Sequence, residues 1–237
     1  MKDLKELTVT QIRIFPADYI PYSYLLRREF IDYVCSKYNF QHHEIPFEKI
    51  PGDVPRVMIF SSGEYKIDKK KVIIKRLSFE NRRILTEITC PSKTAVLIFN
   101  TIARDIRKFD MDEQFKASSI DFFSEETSCI VTLNIDFMKV YSTKFKSFLS
   151  KDFLNILPHK YFEIYPKSFR FEVGFETEEK LMKKRISLAP KQLVIEPRTE
   201  RPIDDQVFFT SSPCDTNTHL EILKSFEKTF REKVNSR

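Results

Sequence analysis

The chain has 237 residues, 41% of them apolar and 31% charged, with 40 Lys and Arg against 34 Asp and Glu for a formal net charge of +6. Its only glycines are Gly52, Gly63 and Gly174, which excludes glycine-rich phosphate cradles, dinucleotide fingerprints and nucleophile elbows, all of which need several glycines close together. Cys35, Cys90, Cys129 and Cys214 stand far apart with no Cys-x-x-Cys pair, so they read as reduced, buried, small apolar residues.

No apolar run approaches the roughly 20 residues of a membrane-spanning helix, and the N-terminus Met1-Lys-Asp-Leu-Lys-Glu-Leu lacks a signal peptide's apolar core. The expectation is a cytoplasmic protein without membrane contact. Positive charge favours anionic partners, although a mixed-charge soluble surface explains the same totals.

In chain order, residues 7–15 alternate Thr10, Ile12 and Ile14 with Val9, Gln11 and Arg13, which predicts a half-buried strand ending at Pro16. Leu25, Leu26, Phe30, Ile31 and Val34 follow at helical spacing. Pro46, Pro51 and Pro55 then mark residues 39–56 as a long connection. Strands are predicted at 57–60, 64–68, 71–79 and 83–89 as an antiparallel meander, then a helix over 94–109 with an apolar stripe from Val96 to Phe109. The polar stretch 110–119 reads as a junction between a first unit, 1–114, and a second, 115–237.

The second unit repeats the order: a strand at 129–137, a helix over about 144–157, further strands, and a helix over 218–230. Leu26 and Leu149, like Phe30 and Phe153, are 123 apart, while Val96 and Leu220, Ile98 and Ile222, and Ile106 and Phe230 are 124 apart. Phe60-Ser-Ser-Gly63 and Phe171-Glu-Val-Gly174 give a spacing of only 111, so the connection before the sheet must be longer in the first unit and the sheet after it longer in the second. The reading is an α+β protein of internally duplicated β-α-β-β-β(-β)-α units, with an antiparallel sheet and helices packed on one face. In its order of elements the chain resembles the duplicated saddle of the TATA-box-binding protein family. The resemblance is topological and implies an architecture.

No catalytic constellation stands out. Asp53 with Glu64-Tyr-Lys66 has the outline of a metal-dependent nuclease, two carboxylates for a divalent ion and a lysine beside the attacking water, but a turn and a solvent-facing strand explain it equally. Adjacent His42 and His43 point to opposite faces in a strand, and His159 lacks chelating spacing to any other histidine. Cys214 and His219 are two possible ligands beside an ordinary capping sequence, Asp215-Thr-Asn. Ser124, Glu125 and Glu126 read as an exposed loop or strand start, and Asp204-Asp205 as a turn. No metal, cofactor or catalytic residue is assigned.

The basic residues cluster more clearly. Lys66, Lys69, Lys70, Lys71 and Lys75 fall in the first meander, and Lys183, Lys184 and Arg185 in the corresponding place in the second. On one side of a continuous sheet they would follow a phosphate backbone; as turn lysines they would guard edge strands. The expected function is a non-enzymatic binding protein using a broad sheet surface for nucleic acid, with a protein partner or a metal-dependent nuclease as alternatives.

Overall fold

The computed structural model describes residues 1, 3–46, 57–67, 69–135, 137–153, 167–173, 191–198, 200–202 and 205–231. Its strands are β1 (Asp3–Ile14), β2 (His42–Glu44), β3 (Met58–Ile67), β4 (Lys70–Phe79), β5 (Arg83–Ile88), β6 (Phe122–Thr132), β7 (Phe169–Val173), β8 (Lys191–Pro197) and β9 (Val207–Ser212). The α-helices are α1 (Tyr22–Leu25), α2 (Arg28–Lys37), α3 (Ser92–Phe109), α4 (Thr143–Ser147) and α5 (Thr216–Phe230). The fold is α+β. No helix among the described residues is long and apolar enough to cross a membrane.

All nine strands join in one antiparallel sheet of order β2-β3-β4-β5-β1-β6-β9-β8-β7. The two long strands β1 and β6 lie side by side at the centre, and each is flanked on its outer side by the last strand before a long helix, β5 or β9.

Cross-strand partners share a face, so the register shows where the core sits. Val9 opposes Ile88, Ile88 opposes Ile74, and all three are fully buried. On the same face Arg13 lies against Phe99 of α3, Phe79 meets Phe30 of α2, and Thr210 meets His219 of α5. Helices α2, α3 and α5 therefore pack on one side. Alternation places Thr8, Thr10, Ile12, Ser128, Ile130 and Phe209 on the other.

α3 forms where the apolar stripe predicts, burying Ala95, Ile98, Phe99, Ile102, Ala103 and Ile106, with Arg107 and Lys108 favourably placed at its C-terminal end. The stretches expected as strands 57–60 and 64–68 are one strand, β3. Ser62 takes a left-handed φ of 57°, and beyond it buried Gly63 opposes Ile74 where Phe60 had opposed Leu77. A β-carbon on Gly63 would stand 2.5 Å from the Phe40 ring and 2.9 Å from the Tyr38 carbonyl oxygen, so this close approach requires glycine.

The strand expected at 129–137 starts earlier, at Phe122, and ends at Thr132; Phe137–Val140 is a 3-10 turn. Ser124, Glu125 and Glu126 are thus in a central strand, drawn in by pairing with Ile12, Gln11 and Thr10. The helix expected over 144–157 is α4, capped by the Ser142 hydroxyl, followed by a π-helical turn, Phe148–Phe153; its further residues lie outside the described set. The helix predicted after Pro21 is divided into α1 and α2, with Leu26 and Arg27 between them, and the 39–56 connection contains the short edge strand β2.

Candidate binding face and the buried polar clusters

The basic residues lie where β3 turns into β4. Lys66 opposes Lys71 and Ile67 opposes Lys70, with Lys69 in the turn at φ 66°. Lys71 pairs with Glu64 at 2.8 Å and Lys75 with Glu6 of the central strand at 2.8 Å. These pairs cross strands on the face opposite α2, α3 and α5, and at their exposure each contributes at most about 1 kcal/mol. Lys66, Lys69 and Lys70 make no ion pair among the described residues. Lys183, Lys184 and Arg185 lie outside the described residues.

Further pairs occupy the other side of the same face. Lys191 meets Glu126 at 3.1 Å, Ser211 donates to Glu126 at 2.8 Å, and Arg170 meets Glu196 at 2.8 Å. Charge is therefore mixed towards the flanks, while the centre presents Thr10 and Ser128 beside Ile12, Ile130 and Phe209, with Thr8 buried among them.

For the nuclease outline, Glu64 is engaged by Lys71, and Asp53 lies outside the described residues. His42 and His43 sit on edge strand β2, with His43 near Cys35 and Phe60; His159 and Asp204 are outside the described set. Among the described residues no group of three or more His, Cys, Asp and Glu is placed to hold a metal.

Cys214 and His219 are brought together through a third residue. The Ser212 hydroxyl lies 2.6 Å from His219 Nδ1 and 2.9 Å from Cys214 Sγ, while His219 Nε2 faces the Thr210 hydroxyl at 3.0 Å and Cys129 Sγ at 3.4 Å. A serine beside a histidine suggests a nucleophile and base, but His219 is fully buried and no substrate can reach it. Burial pushes its pKa down to about 4, so the neutral ring pins α5 to β6 and β9.

Two clusters escape a reading of the sequence because their members are far apart. Asp105 of α3 accepts from Tyr38 at 2.6 Å, Lys37 at 2.6 Å, Tyr33 at 2.9 Å and Lys108 at 3.1 Å. Burial alone raises the pKa of this carboxyl; the four donated bonds outweigh it and hold the group below its ordinary value. The second cluster lies where the N-termini of α3 and α5 meet. There burial raises the thiol pKa of Cys90 and of Cys214, the residues just before the two helices, and the charge of Glu125, which accepts from Gln11 Nε2 at 3.1 Å, raises both further.

No known family model matches the chain, and no curated protein shows significant similarity to it.

Proposed function

We propose that the chain is a non-enzymatic binding protein, built as an internally duplicated saddle of units 1–114 and 115–237, that takes nucleic acid on the face of its sheet opposite α2, α3 and α5. The observation that carries this reading is the strand order. It places β1 and β6 together, and the face opposite α2, α3 and α5 carries, among the described residues, hydroxyl and apolar side chains at its centre and a lysine-rich hairpin towards one flank. Duplication is supported by strand order read outward from β1 and β6, and by matching turns: Cys90 N–H donates to Ile88 and Cys214 N–H to Ser212, 124 residues on. A surface of this kind contacts sugars and base edges through its centre and phosphates through its lysines.

A protein partner is the second reading, favoured by the cross-strand pairs Lys71–Glu64 and Lys75–Glu6, which lower the positive charge of the face.

The test is a salt titration of binding to duplex and single-stranded oligonucleotides. On duplex, affinity should fall by roughly 0.9 log units per log unit of salt for each phosphate neutralised. Changing Lys69, Lys70, Lys183 and Lys184 to Glu should weaken binding and flatten the slope. Absence of binding at low salt, or affinity untouched by the four changes, overturns the nucleic-acid reading.

A further inference from the structure

Three connections meet at one end of the first half: the segment from the end of β1 into α1, the β4–β5 turn and the residues after α3. They enclose a cleft of about 430 Å³ whose lining includes Asp18, Asp110, Asp112, Tyr22, Tyr24 and Gln114. In a chain of net charge +6, no Lys, Arg or His among the described residues lines it. The buried carboxylate Asp110, 5% exposed, accepts from the Phe115 amide at 2.6 Å through Oδ2, while its Oδ1 has no hydrogen-bond partner. Such a group is costly unless a donor reaches it.

The surrounding field is negative. The Tyr24 hydroxyl is held above its ordinary pKa first by its hydrogen bond to Asp112, then by the charge of Asp112 and by burial; the positive charge of Arg27 opposes this and Asp110 adds to it. Arg27 lies outside the lining, with its guanidinium carbon 4.5 Å over the Tyr24 ring. The three carboxylates do not converge as a metal-ligand set. Spread carboxylates beside tyrosine rings suit a flat cation with several donors, which bonds carboxylates in its plane and stacks on an aromatic face.

We propose that this cleft is a binding site for a guanidinium group, carried by a small molecule or by an arginine side chain of a peptide. The site is independent of the sheet face and stands or falls separately from the nucleic-acid reading.

The experiment is an amide-resolved NMR titration of the full chain with argininamide, with its neutral isostere citrullinamide, and with a blocked Gly-Arg-Gly peptide. Argininamide should give saturable shifts at Ser23, Tyr24, Asp112 and Gln114, and citrullinamide none. Asp112→Asn, at an exposed position outside the core, should weaken binding about tenfold or more while leaving the rest of the spectrum unchanged. Tighter binding of the peptide assigns the site to an arginine side chain of a partner; equal or tighter binding of argininamide assigns it to a small molecule. No saturable shift with either guanidinium probe, equal shifts with citrullinamide, or an unaffected Asp112→Asn variant overturns the proposal.

Discussion

Ser92 and Thr216, the first residues of α3 and α5, cap each other's helix. The Ser92 amide donates to the Thr216 hydroxyl at 3.0 Å, the Thr216 amide donates to the Ser92 hydroxyl at 2.8 Å, and the two hydroxyls lie 2.9 Å apart. Pro91 offers α3 no capping side chain, so the amide that a local cap would leave orphaned is satisfied by a residue 124 positions away. Both residues are buried, and the exchange ties the N-termini of α3 and α5 together.

Breaking this exchange should destabilise both halves at once. Thr216→Val keeps the volume and removes the oxygen, so it should lower unfolding free energy by about 2 kcal/mol, as should Ser92→Ala. The double variant should lose less than the sum, with a coupling of about 1 kcal/mol. Urea unfolding of the four proteins measures it, and strict additivity would show that the reciprocal bonds contribute nothing jointly.

The His219 cluster makes stability acid-sensitive in a defined window. A folded pKa of about 4 against 6.5 for a free imidazole means that the unfolded chain takes up a proton first as pH falls. Stability is full above pH 6.5, declines between 6.5 and 4, and the total loss is roughly 3 kcal/mol. NMR titration of the imidazole is the direct check; a midpoint above 6 in the folded protein contradicts the prediction.

Asp105 acts in a lower window with the same sign. Its carboxyl is held below the ordinary value, so its contribution is present above about pH 4 and is lost as pH falls through the folded pKa. Asp105→Asn removes the partner of Lys37 and of the buried Tyr38 hydroxyl and should cost about 3 kcal/mol at neutral pH. The variant should also lack the acid step that wild type shows in this window, which thermal melts at a series of pH values would reveal.

These contacts mark what the sequence could and could not disclose. The stripes of α3 and α5 were legible because burial of Ile98, Phe99, Ile102 and Leu223 repeats at helical spacing. Both helices start two residues earlier than expected, at Ser92 and Thr216 instead of 94 and 218; Asp215 caps α5 as its sequence suggests, accepting from the Asn217 and Thr218 amides, while the Ser92 and Thr216 amides are satisfied across the two helices. Ser-Ser-Gly63 looked like a break between strands; it is a continuous strand with a local irregularity, under a ring contributed by Phe40. Ser124-Glu-Glu read as an exposed loop or strand start; it lies in the strand, and what nothing local reveals is that β1 covers one side of it. The lysines of the β3–β4 hairpin were legible as a cluster, but not their cross-strand partners Glu64 and Glu6. The cleft was invisible, since Asp18 and Asp112 meet only through tertiary packing.

Gly63→Ala tests the close approach beneath Phe40. The added carbon meets the Phe40 ring at 2.5 Å and the Tyr38 carbonyl at 2.9 Å, and the backbone is less free than the ring to move. A destabilisation of about 1–3 kcal/mol is expected from overpacking. Phe40→Leu in the same chain should recover part of it by removing the ring, and no recovery would place the strain at the carbonyl alone.

The lysines of the hairpin should divide into two groups. Lys71 and Lys75 already face Glu64 and Glu6, whereas Lys66, Lys69 and Lys70 have no carboxylate partner among the described residues. If the face takes nucleic acid, Lys66→Gln with Lys69→Gln should reduce duplex affinity at low salt by several-fold and lower the salt slope by up to about 2, one for each phosphate that is no longer neutralised. Lys75→Gln should act differently: it releases Glu6 on the central strand, adding negative charge to the face, and so should weaken binding without a matching change in slope. Fluorescence anisotropy across a salt series separates these outcomes. Equal effects from the paired and unpaired lysines would mean that net charge alone governs binding and that the hairpin has no special place in it.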